Sequence, residues 1–152
     1  MKKNDRQSLP SVPTRALKDN DCPACGKTME PARGTLRFPV NGDEVDVPDV
    51  EHTVCPACHE VVLDVAQART LRERALEIYR ARYDLLSGAE IRALREHLGL
   101  TQQGLARLLR LGVNTLSRWE AGRVVQTASL DVLPRLLGDL PGSTDDLKRH
   151  AA

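Results

Sequence analysis

Large aromatic side chains are scarce. The 152 residues hold one Phe, one Trp and two Tyr, which excludes a broad aromatic core and favours small Leu/Val/Ala-packed units or an external staple. Long apolar runs are missing as well, since no stretch reaches the roughly 18 residues a spanning helix needs, and no membrane segment is expected. Lys2 and Lys3 are not followed by the apolar region of a secretory signal, so a cytoplasmic, reducing setting is expected. There is no Ser/His/Asp set, no glycine-rich phosphate loop and no carboxylate–histidine cluster, which speaks against an enzyme. Nor is there an excess of either charge: 22 Lys+Arg stand against 21 Asp+Glu, a formal net charge of +1. The length excludes a barrel enzyme and admits one medium domain or two small ones.

The neutral total conceals an uneven distribution. Residues 1–20 carry a net +3, include Pro10 and Pro13 and show no periodicity; a flexible tail is expected. Residues 21–65 contain all four cysteines and a net charge of −6. Residues 66–87, at +2 and without Gly or Pro, read as a connecting helix, and residues 88–152, also at +2, show leucines at helical spacing. An acidic cysteine module is thus joined to a basic helical one. Along the connecting helix, Leu71, Ala75, Ile78 and Leu85 make one apolar stripe and Leu76, Tyr79, Tyr83 and Leu86 another. Packing within the chain and self-association both fit that pattern.

Cys22-Pro23-Ala24-Cys25-Gly26 and Cys55-Pro56-Ala57-Cys58-His59 are two copies of one knuckle, with 29 residues between the second and third cysteine. Two residues between paired cysteines let a turn aim both sulfurs at one point, and two such turns make a closed tetrahedral thiolate site for zinc. Cys22, Cys25, Cys55 and Cys58 are therefore the expected ligands of one structural Zn2+ per chain. A dithiol oxidoreductase is the competing chemistry, but the second CxxC and the absence of a thioredoxin-like βαβ pattern weigh against it. His52 and His59 are expected to stay outside a site already filled by four sulfurs. Between the knuckles, Leu36, Phe38 and Val40 alternate with polar residues, Asn41-Gly42 follows, and Val45 and Val47 alternate again. This predicts a hairpin with a two-residue type I′ turn. Short strands near residues 52–55 and 60–63 would complete a zinc-ribbon-like unit.

In the second half, Ser87-Gly88-Ala89-Glu90 is a capping box with Leu86 and Ile91 as its staple, and Gly99 is a natural helix stop. Thr101 caps the next helix, with Ala106, Leu108 and Leu109 inward. After a turn through Arg110 and Leu111, Gly112 can start a third helix that buries Leu116 and Trp119 and ends near Gly122. Two helices so closely joined predict a helix-turn-helix that offers its second member to the DNA major groove. On that member Asn114 and Arg118, spaced i, i+4, share one face. Asn can pair bidentately with adenine and Arg with guanine, so both are expected base contacts. Gln102, Thr115 and Arg123 are expected to reach phosphates. Pro134 falls inside a helical stretch, residues 127–137, and would kink that helix or end it early. The fold class expected is mainly α, with a small β zinc-ribbon-like N-terminal domain and a C-terminal five-helix-type helix-turn-helix domain.

Thr101-Gln102 with Ala106, followed by the run Gly112-Val113-Asn114-Thr115-Leu116-Ser117-Arg118-Trp119-Glu120-Ala121-Gly122, resembles the phage-repressor helix-turn-helix. Preceded by two Cys-Pro-x-Cys knuckles, it is similar to the MqsA family of antitoxins, the YgiT-type zinc-finger proteins, over about residues 21–140. That resemblance implies a zinc domain that clamps a basic ribonuclease toxin. It also implies a C-terminal domain, residues 88–152, that dimerises and binds a palindromic operator to repress the toxin–antitoxin operon. Asn114 and Arg118 match the family's base-reading pair. The acidic segment suits a basic toxin partner. A stand-alone zinc-containing transcriptional regulator without a toxin is the other reading of the same motifs.

Overall fold

The structure is a computed structural model that describes residues 20–112 and 114–151. The tail expected to be flexible, residues 1–20, lies outside the described residues except for Asn20, as does Val113. Three strands, β1 (Glu30–Val40), β2 (Asp43–Val54) and β3 (Val61–Val62), precede six helices: α1 (Val65–Arg82), α2 (Gly88–His97), α3 (Gln102–Leu108), α4 (Thr115–Glu120), α5 (Ala128–Asp139) and α6 (Ser143–Ala151). The antiparallel sheet has the order β1-β2-β3, with Thr53 opposite Val62 and Val54 opposite Val61. Two compact units emerge. Of the described residues, one comprises residues 20–36 and 48–69; the other comprises residues 37–47 and those from Thr70 onward.

The hairpin turns at Asn41 and Gly42, whose φ angles of 51° and 94° are the left-handed pair that a type I′ turn demands. Alternation along β2 is not continuous. Val45 and Val47 are buried, then Val50 and His52, so the inward face shifts by one residue at Pro48-Asp49. Asp49 has φ 56°, and an extra residue with left-handed backbone is what a β-bulge inserts. The bulge lies where the chain passes from the helical unit to the cysteine unit.

In the cysteine unit the buried cluster is Cys22, Met29 and Cys55, with Val62 packed against it. So few apolar groups cannot hold a unit together without a staple. The helical unit has a conventional core of Ile91, Leu105, Ala106, Leu108, Leu116, Trp119 and Leu137, flanked by Leu86, Leu98 and Leu100.

Helix boundaries follow local chemistry. Asp64 Oδ1 accepts from the Gln67 amide at 2.7 Å while the Asp64 amide donates to Gln67 Oε1 at 3.0 Å, a reciprocal box at the start of α1. That helix stops at Arg82, short of the expected 87, because Asp84 turns left-handed at φ 48° and the Leu85 amide donates back to the Arg80 carbonyl. The predicted box of Ser87 and Glu90 opens α2, and Gly99, at φ 65°, follows its C-cap. Gly88 cannot carry a side chain: a Cβ there would lie 2.5 Å from the Trp119 carbonyl oxygen and 2.6 Å from that of Glu120. The first turn of α2 thus lies directly on the backbone that ends α4. α5 passes through the fully buried Pro134 instead of ending there. Its contacts with α2 and α6 outweigh the one backbone bond that the proline removes.

Candidate functional site

The two knuckles are built alike. The Cys22 carbonyl accepts from the Gly26 amide and the Cys55 carbonyl from the His59 amide, both at 2.8 Å; the Cys22 amide donates to Lys27 and the Cys55 amide to Glu60. Gly26 and His59 occupy the same left-handed position, at φ 73° and 60°. His59 thereby shapes the turn, and it is not part of the sulfur cluster. Nor is His52, a buried residue whose Nδ1 lies 2.9 Å from the Val50 carbonyl oxygen.

The turns bring the four thiols within 4.8 Å of one another. Cys22 Sγ is 3.5 Å from Cys58 Sγ, and Cys25 Sγ is 3.5 Å from Cys55 Sγ. Sulfurs at the corners of a zinc–thiolate tetrahedron stand about 3.8 Å apart, a spacing between the 3.5 Å of these two pairs and the 4.8 Å that bounds the whole cluster. Burial pushes the Cys55 thiol up, but the amides of Ala57 and Cys58 and then the neighbouring thiols outweigh it and bring it down to about 6. Cys58 moves the other way, to about 12: the Glu60 amide pulls it down, but the thiols of Cys22 and Cys25 and then burial push harder. One thiolate forms readily and the next is opposed by it, an arrangement that a cation relieves. The four cysteines lie close enough together to hold a metal ion.

The helical unit presents a second candidate surface. α3 and α4 pack against each other across the turn that contains Arg110, at φ 53°. Leu105, Ala106 and Leu108 of α3 and Leu116, Trp119 and Glu120 of α4 point inward. α4 begins at Thr115, three residues after the expected Gly112, and Asn114 is its N-cap. Asn at that position ordinarily caps with its side chain; here it makes no such bond. Both Asn114 and Arg118 are exposed, Thr115 is half-buried and Arg123 is exposed. The Arg118 amide donates to the Asn114 carbonyl at 3.2 Å, so the pair is one turn apart on the outer face of α4.

Gln102 is placed differently. Its Nε2 donates to Glu120 Oε2 at 2.8 Å, which ties the start of α3 to the end of α4. Glu120 also accepts from Arg95 Nε at 2.6 Å and Arg95 Nη2 at 3.1 Å, and Arg92 Nε lies 3.5 Å away. Burial pushes the Glu120 carboxyl up, but Arg95, then Gln102 and Arg92, hold it below the usual carboxylate range. The sequence motif contains Glu120 without giving it a role, and Arg95 lies outside it. No local pattern marks a pair 25 residues apart, although an acid beside an inward Trp in a short helix hints at one. A second buried carboxylate, Asp131, accepts from Gln126, the Leu86 amide and Arg135. It fixes the start of α5 to the segment before α2.

Among the described residues no helix is long and apolar enough to cross a membrane. Residues 20–148 match the family model described as the antitoxin component of bacterial toxin–antitoxin system, MqsA. No curated protein matches the chain.

Proposed function

The chain belongs to the MqsA antitoxin family, and from that premise we propose that it works as a two-part antitoxin. In this reading the cysteine unit, organised by one Zn2+ on Cys22, Cys25, Cys55 and Cys58, neutralises a basic ribonuclease-like toxin. The helical unit is a helix-turn-helix that represses its own operon, without enzymatic activity. α4 lies in the major groove of a palindromic operator, Asn114 and Arg118 read bases, and Thr115, Arg123 and Gln102 lie toward phosphates. Gln102 does so while its amide is held by Glu120.

The observation that carries this reading is the division of side chains on α4. Leu116, Trp119 and Glu120 are committed to the interior, and the two residues whose chemistry fits base edges are left exposed, with Asn114 making no side-chain cap bond at the helix start. A palindromic site calls for a two-fold protein, and α5 offers a surface for that. Val132, Leu133 and Leu136 are 39–50% exposed and lie on one side of α5; such a stripe is normally covered.

The charge of the cysteine segment supports a basic partner. Purification of the tagged chain from its native cell, followed by identification of whatever small protein accompanies it, tests this. A small basic protein encoded beside this gene is the expected companion, and its absence would favour the regulator that acts without a toxin.

A further inference from the structure

The loop that leaves α4, residues 121–127, is held by the hairpin tip, a part of the chain far away in sequence. Asn41 Nδ2 donates to the carbonyl oxygens of Val125 and Gln126, at 3.3 Å each. Arg72 of α1 donates to the Arg123 carbonyl at 2.7 Å. Asp43, two residues past Asn41, accepts from the Tyr83 hydroxyl at the end of α1. Asn41, Arg72 and Val125 line a cleft of about 370 Å³ together with Phe38, Val40, Leu76 and Val124. The loop is in turn bonded to the recognition surface, because the Arg123 amide donates to the Arg118 carbonyl at 2.9 Å.

We propose that Asn41 is a positioning residue for DNA reading: its amide fixes the exit of α4 and so sets how Arg118 and Arg123 are presented. This rests on the assignment of α4 as the base-reading helix. Loop carbonyls have no ladder to satisfy them, and a side-chain amide with two donors can fix two successive peptides at once. A loop so fixed enters the complex already ordered, whereas a loose one must be ordered on binding. The position suits the task. The turn needs a residue that tolerates left-handed backbone, and of those Asn alone carries an amide that donates.

Two variants separate this role from the turn itself. Asn41→Gly keeps the type I′ geometry and removes the amide; Asn41→Asp keeps the shape and replaces the donor by an acceptor that repels both carbonyls. Each would be measured for binding to a duplex from upstream of its own gene and to a scrambled duplex of equal length at the same salt. Metal content and melting temperature serve as controls for folding. The expected result is a loss of about 3- to 10-fold on the upstream duplex with little change on the scrambled one, in whichever variant folds. Equal losses on both duplexes, or no loss on either, would overturn the role of Asn41. A wild-type protein that does not distinguish the duplexes overturns the base-reading assignment, and this proposal with it.

Discussion

Arg95 and Glu120 meet inside the helical unit as a two-pronged pair, with Nε and Nη2 of the guanidinium on Oε1 and Oε2 of the carboxylate and both side chains nearly out of solvent at 13% and 1% exposure. The pair joins α2 to the end of α4, just where Gly88 brings the two backbones together. Breaking one side of a buried pair leaves the other uncompensated, which costs about 3–5 kcal/mol. Glu120→Gln is therefore expected to lower the urea midpoint of the helical unit strongly, and Arg95→Met to do the same. A midpoint within experimental error of wild type would deny the pair its structural role.

The same pair predicts a pH dependence. Glu120 and Asp131 both titrate below their ordinary range in the folded chain: burial pushes each up, but Arg95 on the first and Gln126 on the second, with their further partners, outweigh it. Their contribution to stability is complete above the unfolded carboxylate range and is lost as pH falls through the lower folded values. Stability from this source should thus be level above about pH 5 and decline below about pH 4. In Glu120→Gln the acid limb should be shallower; an unchanged limb would place the lost protons elsewhere.

The metal site predicts one zinc per chain. Cys55→Ser removes a buried thiol from the cluster of Cys22, Met29 and Cys55 on which Val62 packs, so the cysteine unit should lose its metal and its ordered sheet together. Metal analysis alongside the amide dispersion of β2 and β3 checks both. Retention of the sheet without metal would show that the unit does not depend on the ion.

His59 gives a prediction of opposite sign. It holds the left-handed position that Gly26 holds in the other knuckle, and a non-glycine residue there costs about 1 kcal/mol. His59→Gly should raise the thermal midpoint or leave it unchanged, and Gly26→Ala should lower it. A clear loss on His59→Gly would mean that the imidazole does something beyond shaping the turn.

Features set by neighbours in sequence were legible. The two knuckles, the Asn41-Gly42 turn, the Ser87 box, the Thr101 cap and the stops at Gly99 and Gly122 each depend on a few adjacent residues. What was hidden depends on distance. Nothing near Asn41 announces Val125 and Gln126, nothing near Arg95 announces Glu120, and the bulge at Asp49 is a pairing event between strands. Pro134 is instructive: its local effect is to break a helix, and contacts with α2 and α6 overrule it.

Base reading makes its own prediction. Asn114 and Arg118 lie on the surface, so changing both to Ala should leave the melting curve alone and remove about 1–3 kcal/mol of discrimination for each bidentate contact. Footprinting of the upstream duplex checks it, and an unaltered footprint would move recognition to another face.

The central claim is that this chain neutralises a toxin through its cysteine unit, and growth rescue tests it most directly. If a small basic protein is encoded next to this gene, cells expressing it should stop growing, resume when the wild-type chain is supplied, and fail to resume with Cys55→Ser while still resuming with Asn114→Ala and Arg118→Ala combined. Growth that wild type does not restore, or that Cys55→Ser restores equally well, would contradict the account.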